Sequence, residues 1–396
     1  MFDFLKPAAG RSEPFVVPET QTSETQTSET KSAQPLVALQ LTSGAHWTPR
    51  NFSALCREGF ARNPIVYRCV RLIAEAAASV PLKVEGDDEA SKFLARAPLM
   101  SSPTETFESF YGYLQLAGDA YLEARIIGGA PAFLSALNPD GVTQLQTQTG
   151  AVSAWDIETV DGGKRRLRLD PATGRSPLLS MCLFSPQESV SPLQAAAQAV
   201  DLHNEGGRWA KALLENSARP SGALIYKGAS GSDHLTQDQF ERLKSELESG
   251  HAGARHAGRP LVLEGGLDWK SMSMSPTDMD FIQSRREAAR EIALAFGVPP
   301  MLLGLPGDNT YANYREANQA FWRQTIIPLV RKTSDGLQSW LRPWFEDSLV
   351  ISPDLEKVPA LSEGRNTLWQ RLSAADFLSD AEKRTLAGLS TEGDET

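Results

Sequence analysis

Cysteine is scarce in this sequence of 396 residues, and the three that occur, Cys56, Cys69 and Cys182, are far apart. An odd number of cysteines at such spacings excludes a paired disulfide framework, and no Cys-x-x-Cys pair is present to hold zinc. The pattern is typical of reduced thiols in an intracellular protein.

Long apolar runs are also missing. No stretch approaches the roughly 20 apolar residues that a membrane-spanning helix needs, and the opening MFDFLKPAAG is too short and too polar for a secretory signal peptide. We therefore expect a protein without a membrane partner. The hydrophobic content of 41% is ordinary for a soluble protein, and the length suggests two or three domains.

Basic residues are not in excess either, since the formal net charge is −10 at pH 7. Non-specific DNA binding depends on Lys and Arg that neutralise phosphates, so tight binding through a basic face is disfavoured. The run KRRLR at 164–168 alternates with Leu167 and Leu169, which favours a solvated strand face over a nucleic-acid patch. An acidic protein can still let DNA slide past without holding it.

Motifs of the common enzyme classes are absent: there is no GxxxxGK[ST], GxGxxG, HExxH or GxSxG. Asp278 and Asp280 could hold a divalent metal, but acids in a first helical turn are expected from the helix dipole alone. His251 and His256 lack an acidic or cysteine partner at ligand spacing. We predict no catalytic residues, no metal site and no cofactor.

Residues 1–45 are predicted to form a disordered arm. The tandem QTSETQTSET is polar, of low complexity and free of aromatic residues, so it cannot bury enough apolar area to offset the entropy of ordering. An arm that folds on a partner is the alternative. Folded structure is expected to begin near Asn63, where Asn63-Pro64 opens an amphipathic helix.

The next part of the chain predicts an α+β region. A helix around 107–114, which Gly118 ends, is followed by short alternating segments separated by turn residues, and Asp161-Gly162-Gly163 predicts a hairpin. The predicted strands are 120–127, 132–137, 142–146, 155–160 and 164–169.

Two long helices then surround an insert. The first, about 191–216, begins with Ser191 as N-cap and Pro192 in the first turn; the second, about 276–296, ends at Gly297. The insert, about 217–275, contains short strands at 222–226 and 267–272. This arrangement is unusual for a small enzyme.

The second long helix carries a narrow apolar stripe on an otherwise charged surface. The stripe consists of Ile282, Ala289, Ile292 and Phe296. Such a helix packs on one side and meets water or another chain on the other.

A loop of small and polar residues follows this helix. It consists of Leu305, Pro306, Gly307, Asp308, Asn309, Thr310 and Tyr311. A long helix at 312–341 comes next, and Pro328 is expected to kink or break it. Two short helices, 362–375 and 380–386, complete the prediction, with Ser379 as cap of the second.

Several segments, in order, resemble the portal proteins of HK97-type tailed phages, from about Asn63 to Leu389. They are NPIVYRCVRLIAEAAASVPL, LAGDAYLEARI, the helix from SPLQ to the Arg219-Pro220-Ser221-Gly222 turn, LTQDQFERLKSEL, DMDFIQSRREAAREIALAFGVPPMLLG and NTYANYREANQAFWRQTIIPLV. Each is weak alone, but their order and spacing together are specific.

The resemblance implies an α+β portal fold with an α/β wing, a long-helix stem, a small α/β clip and a short helical crown. The implied parts are the arm (1–45), wing (46–186), stem helix (187–216), clip (217–275), stem helix (276–303), tunnel loop (304–311), wing long helix (312–345), and crown and tail (346–396).

The resemblance also implies a dodecameric ring at one vertex of a phage capsid or gene transfer agent particle, assembled in the bacterial cytoplasm. Double-stranded DNA would pass through it during packaging and ejection, without sequence-specific contacts. The tunnel loop would line the channel and the apolar stripe would pack the stem. The major capsid protein, the large terminase and then a head–tail adaptor would be its partners.

Two other hypotheses remain open. Another ring-forming head–tail connector is one, although those are usually smaller and lack two long helices around an insert. A soluble enzyme with an unrecognised site is the less favoured one; it predicts a small oligomer with a pocket of convergent polar groups.

Overall fold

The computed structural model of this chain describes most residues between 47 and 387. The described residues are 47–96, 102–148, 150–159, 161–184, 189–215, 222–226, 236–242, 245, 267–271, 281–307 and 310–387. They belong to one unit, residues 45–396; the predicted arm lies outside them. Within these ranges, no helix has the length and apolar character needed to cross a membrane.

Helices and strands alternate in the first half, and helices dominate the second. The helices are α1 (Phe52–Leu55), α2 (Pro64–Ala78), α3 (Asp88–Leu94), α4 (Pro103–Ala117), α5 (Pro192–Ala195), α6 (Ala197–Glu215), α7 (Phe281–Ala295), α8 (Tyr311–Phe321), α9 (Ile327–Leu341), α10 (Ser362–Ser373) and α11 (Asp380–Leu386). The strands are β1 (Leu82–Glu85), β2 (Asp119–Ile127), β3 (Ala130–Leu137), β4 (Val142–Gln146), β5 (Val152–Glu158), β6 (Lys164–Arg168), β7 (Leu178–Cys182), β8 (Gly222–Tyr226), β9 (Leu267–Ser271) and β10 (Val350–Pro353).

Side-chain caps start several helices where the sequence predicts them. Ser191 accepts from the N–H of Gln194 at the start of α5, and Ser379 forms a capping box with Glu382 at the start of α11. Gly118 ends α4 with a left-handed φ of 85°, and a Cβ there would lie 2.8 Å from the backbone of Val190. These contacts confirm the predicted boundaries because each satisfies backbone groups that a helix end leaves unpaired.

The main core lies between α2, α4 and the three-stranded antiparallel sheet β3-β2-β7. The middle strand β2 is buried over most of its length, and Leu122 pairs with Ala136 on one side and Leu179 on the other. Helix α9 joins this core, and the indole N–H groups of Trp340 and Trp344 both donate to the carbonyl of Ser176, at 2.8 and 3.0 Å.

A second antiparallel sheet, β4-β5-β6, packs beside the first. Strands β5 and β6 form the predicted hairpin, with Glu158 opposite Lys164. Lys164, Arg166 and Arg168 form an exposed face of β6, whereas Arg165 lies on the other face, with Leu167. Arg165 makes a bidentate ion pair, at 2.6 and 2.7 Å, with Glu123 on β2, whose side chain is 4% exposed. This pair joins the two sheets.

Folded structure begins earlier than the predicted Asn63. Helix α1 and the π-helical turn Cys56–Phe60 precede it, and Leu55 belongs to the main core. The apolar pattern before Asn63 is too short to predict a helix. Tertiary contacts, not local periodicity, hold this segment.

Pro328 does not break the long helix. The chain passes from α8 through the π-helical turn Trp322–Ile326 into α9, and Pro328 lies in the first turn of α9. In the π turn the N–H of Ile327 donates to the carbonyl of Trp322, five residues back. This wider turn changes the hydrogen-bond pattern beside Pro328, which has no backbone N–H to donate, so the helix continues through the proline.

Replacing Arg165 with Ala should destabilise the chain by about 2–4 kcal/mol, because it leaves the buried Glu123 carboxylate without its main partner. We place the value at the low end for buried pairs because Arg165 is 36% exposed and water screens the interaction. Denaturant unfolding would measure the change.

Arg166 is the matched control, since it is the next residue of β6 and pairs with Asp156 on the exposed surface. Arg166→Ala should cost much less. Equal losses in the two variants would show that the Glu123 pair has no special role.

Candidate functional site

Helices α6 and α7, which border the insert, pack along each other. The facing side of α6 includes Gly206, where a Cβ would lie 2.8 Å from Cγ of Arg285 on α7. Helix α7 carries three small buried residues, Ala288, Ala289 and Ala293. Small side chains on both helices allow the backbones to approach closely.

The predicted apolar stripe of α7 divides into two parts. Ala289, Ile292 and Phe296 are buried, at 2%, 0% and 3% exposure, and the latter two belong to the main core. Ile282, at the beginning of the helix, is 71% exposed. The C-terminal half of the stripe therefore packs inside the chain itself. Contact between subunits through the stripe stays a prediction.

A buried polar cluster fastens α6 to the residues before α2. The Nδ2 group of Asn63 donates to Oδ1 of Asn204 at 3.0 Å and lies 3.2 Å from Nδ1 of His203. Asn204 donates in turn to the carbonyl of Glu58 at 2.9 Å. Because Oδ1 of Asn63 already accepts two N–H groups of α2, its Nδ2 is the donor, and Nδ1 of His203 must accept.

The carboxylate of Asp201, also on α6, holds the beginning of the described chain. It accepts from the N–H of Thr48 at 3.1 Å and from its hydroxyl at 2.5 Å. Both residues are buried, at 5% and 6% exposure. No local sequence pattern indicates these polar contacts, because they join residues about 140 to 153 positions apart.

The predicted tunnel loop begins close to α7 and ends at α8. Leu305 is half-buried, whereas Pro306, Gly307 and Thr310 are exposed and Tyr311 is 80% exposed. Thr310 caps α8 by accepting from the N–H of Asn313. Asp308 and Asn309 lie outside the described residues.

One contact fixes the first part of this loop, and a second fixes the end of α7 that precedes it. Arg290 of α7 donates to the carbonyl of Pro306 at 3.0 Å and pairs with Glu287 at 2.7 Å. Gly297 ends α7 with a φ of 65°, and its carbonyl accepts from the hydroxyl of Thr325 at 2.7 Å. The loop therefore leaves from a fixed corner formed by α7 and the π turn. Sequence spacing alone did not indicate Arg290 or Thr325.

The candidate metal residues of the sequence analysis, Asp278, Asp280, His251 and His256, all lie outside the described residues. In the part of the chain that the structure describes, no group of three or more His, Cys, Asp or Glu is placed to hold a metal ion.

The mixed helix and sheet body with two long helices around a small insert is a portal fold. The family model described as phage portal protein matches residues 64–388. This chain therefore belongs to the phage portal protein family, and the sequence resemblance is confirmed.

The chain is similar to several other proteins. A protein of Rickettsia bellii (strain RML369-C) is 38% identical over 349 residues, which cover 84% of this chain and 88% of that protein. A chain in the neck of a native gene transfer agent particle, computed with C12 symmetry, is 47% identical with a TM-score of 0.68, over 87% of this chain and 95% of that one. An HK97-family portal protein from Corynebacterium diphtheriae is 14% identical with a TM-score of 0.57, over 79% and 99%, and shows the fold alone.

Protonation of His203 should destabilise the fold. Burial, together with the nearby positive charge of Arg285, lowers the pKa of His203 below its ordinary value. The folded chain thus binds this proton less readily than the unfolded chain. Stability should be fully present above about pH 6.5 and fall as pH drops through the lowered pKa.

His203→Asn provides the control, because an amide oxygen can accept from Asn63 without titrating. Denaturant unfolding at about pH 7.5 and about pH 5.5 should show a smaller loss in this variant than in the wild type. The same pH dependence in both chains would refute the role of His203.

Proposed function

We propose that this chain forms the portal ring of a phage or gene transfer agent particle, a dodecamer with a central channel for double-stranded DNA. The observation that carries the proposal is its 47% identity, over 95% of the matched chain, to a component of a gene transfer agent neck with C12 symmetry. A similarity of that extent supports the same assembly, because the ring contacts must be made by surfaces present in both chains.

We assign the channel wall to the tunnel loop, Leu305–Tyr311. The loop follows α7 directly, its described residues Pro306, Gly307 and Thr310 are exposed, and it contains neither Lys nor Arg. Neutralisation of phosphate charge depends on these two residue types. DNA would therefore meet the loop sterically or through water, which suits passage in both directions during packaging and ejection.

The other parts are assigned by their places in the chain. Strands β8 and β9 pair antiparallel within the insert, between the two stem helices, and this clip would dock the large terminase and later the head–tail adaptor. The wing and crown would contact the major capsid protein at the portal vertex, after assembly in the bacterial cytoplasm. In this proposal the protein is a structural component and performs no catalysis.

Imaging of the purified protein by electron microscopy, with native mass alongside, tests the ring directly. We expect rings with a central hole at the mass of twelve chains, given the C12 symmetry of the similar neck. If the isolated chain is monomeric, the same imaging follows co-production with the major capsid protein. A stable dimer or tetramer without a hole under both conditions would refute the portal assignment and favour the enzyme hypothesis.

Replacing Asp308 with Lys should leave the ring intact but reduce the DNA content of particles. The change would put one cation per subunit into a loop without basic residues, and each cation adds a salt-dependent attraction to phosphate. DNase-protected DNA per particle is the measurement. Asp161→Lys, the same charge change in the β5–β6 turn, is the control and should package normally. Normal packaging by Asp308→Lys would contradict a channel-lining loop.

A further inference from the structure

The two C-terminal helices, α10 and α11, border an open groove of about 380 Å³. Its apolar wall includes Trp369, Leu372 and Ala387, and Lys383 and Arg384 add two cations. Trp369 is 46% exposed. The chemistry of this groove suits an apolar side chain that carries a carboxylate beside it.

The turn between the same two helices presents such a pair of groups. Phe377 is 87% exposed, which leaves nearly the whole ring in water, and Asp376 directly precedes it. Phe377 is not one of the residues that line the groove. One chain thus carries, at separate places, an aromatic projection with an acid and an apolar groove with two cations.

We propose that Phe377 and Asp376 of one copy dock into the α10–α11 groove of a neighbouring copy. This contact rests on the portal ring proposed above. In a ring the interface is heterologous, so each subunit must offer two different complementary surfaces, and closure pairs every projection with a groove. Phe377 packs against Trp369 in this arrangement, and the Asp376 carboxylate faces Lys383 and Arg384.

The occupant is a second copy because both halves of the contact lie on this chain. The aromatic projection matches the apolar groove, and the acid matches its two cations. The C12 symmetry of the similar neck component supplies the repeat that the contact requires. An acidic peptide of another particle protein would also match the groove, but it would leave Phe377 unexplained. The experiment separates the two occupants.

Phe377→Ser tests the contact under the conditions in which the wild type forms rings. The concentration at which half of the chain is assembled, measured by mass photometry, should rise at least ~10-fold, as expected for loss of a central aromatic anchor. Phe184→Ser is the matched control, since Phe184 is equally exposed at 89%, and it should change little. Thermal unfolding of the single chains should be unchanged in both variants.

Charge reversal supplies the second test. Asp376→Lys and the double change Lys383→Glu/Arg384→Glu should each weaken assembly, and the combined variant should recover much of it. Unchanged assembly in Phe377→Ser, or no recovery in the combined variant, would overturn the contact while leaving the portal ring standing. Loss of assembly on reversing the groove charges, with no effect from Phe377→Ser, would instead assign the groove to another acidic segment. Absence of rings from the wild type under every condition tested would overturn both proposals.

Discussion

The burial of the C-terminal half of α7 is the constraint on which the rest of the structure depends. Ile292 and Phe296 lie in the main core, and the small residues beside them let α6 approach. Removal of these side chains from water stabilises the chain. The same packing holds together the two helices that border the insert and fixes the end of α7 from which the chain enters the loop after Gly304.

Polar contacts fix the positions of elements that the apolar core alone does not specify. Asp201 and the Asn63–His203–Asn204 cluster attach the first described residues to α6, while Arg165 and Glu123 join the two sheets. Asp201, Asn63, His203 and Glu123 are buried and each has a partner, so an alternative arrangement would leave a buried polar group without one. Such contacts select one arrangement of the helices and sheets more specifically than hydrophobic packing alone would.

Local structure was largely predictable from the sequence because its determinants are local. The Ser191 and Ser379 caps, the Gly118 and Gly297 ends and the hairpin at Asp161–Gly163 all depend on neighbouring residues. The pairing of β1 with β10 depends on residues about 270 positions apart and has no local pattern. The tunnel loop is a prediction from the family resemblance, whereas its contact with Arg290 can be identified only in the folded chain.

The π-helical turn at Trp322–Ile326 links the orientation of α8 to the core. It places one extra residue between α8, which follows the loop, and α9, which lies in the core. Since each residue turns a helix by about 100°, that extra residue sets the angular phase between the two helices. A single deletion there would turn Tyr311 and Tyr314 about the helix axis, and it would also displace Phe321 and Trp322 from the core. The direction in which the loop faces is therefore coupled to the packing of the body.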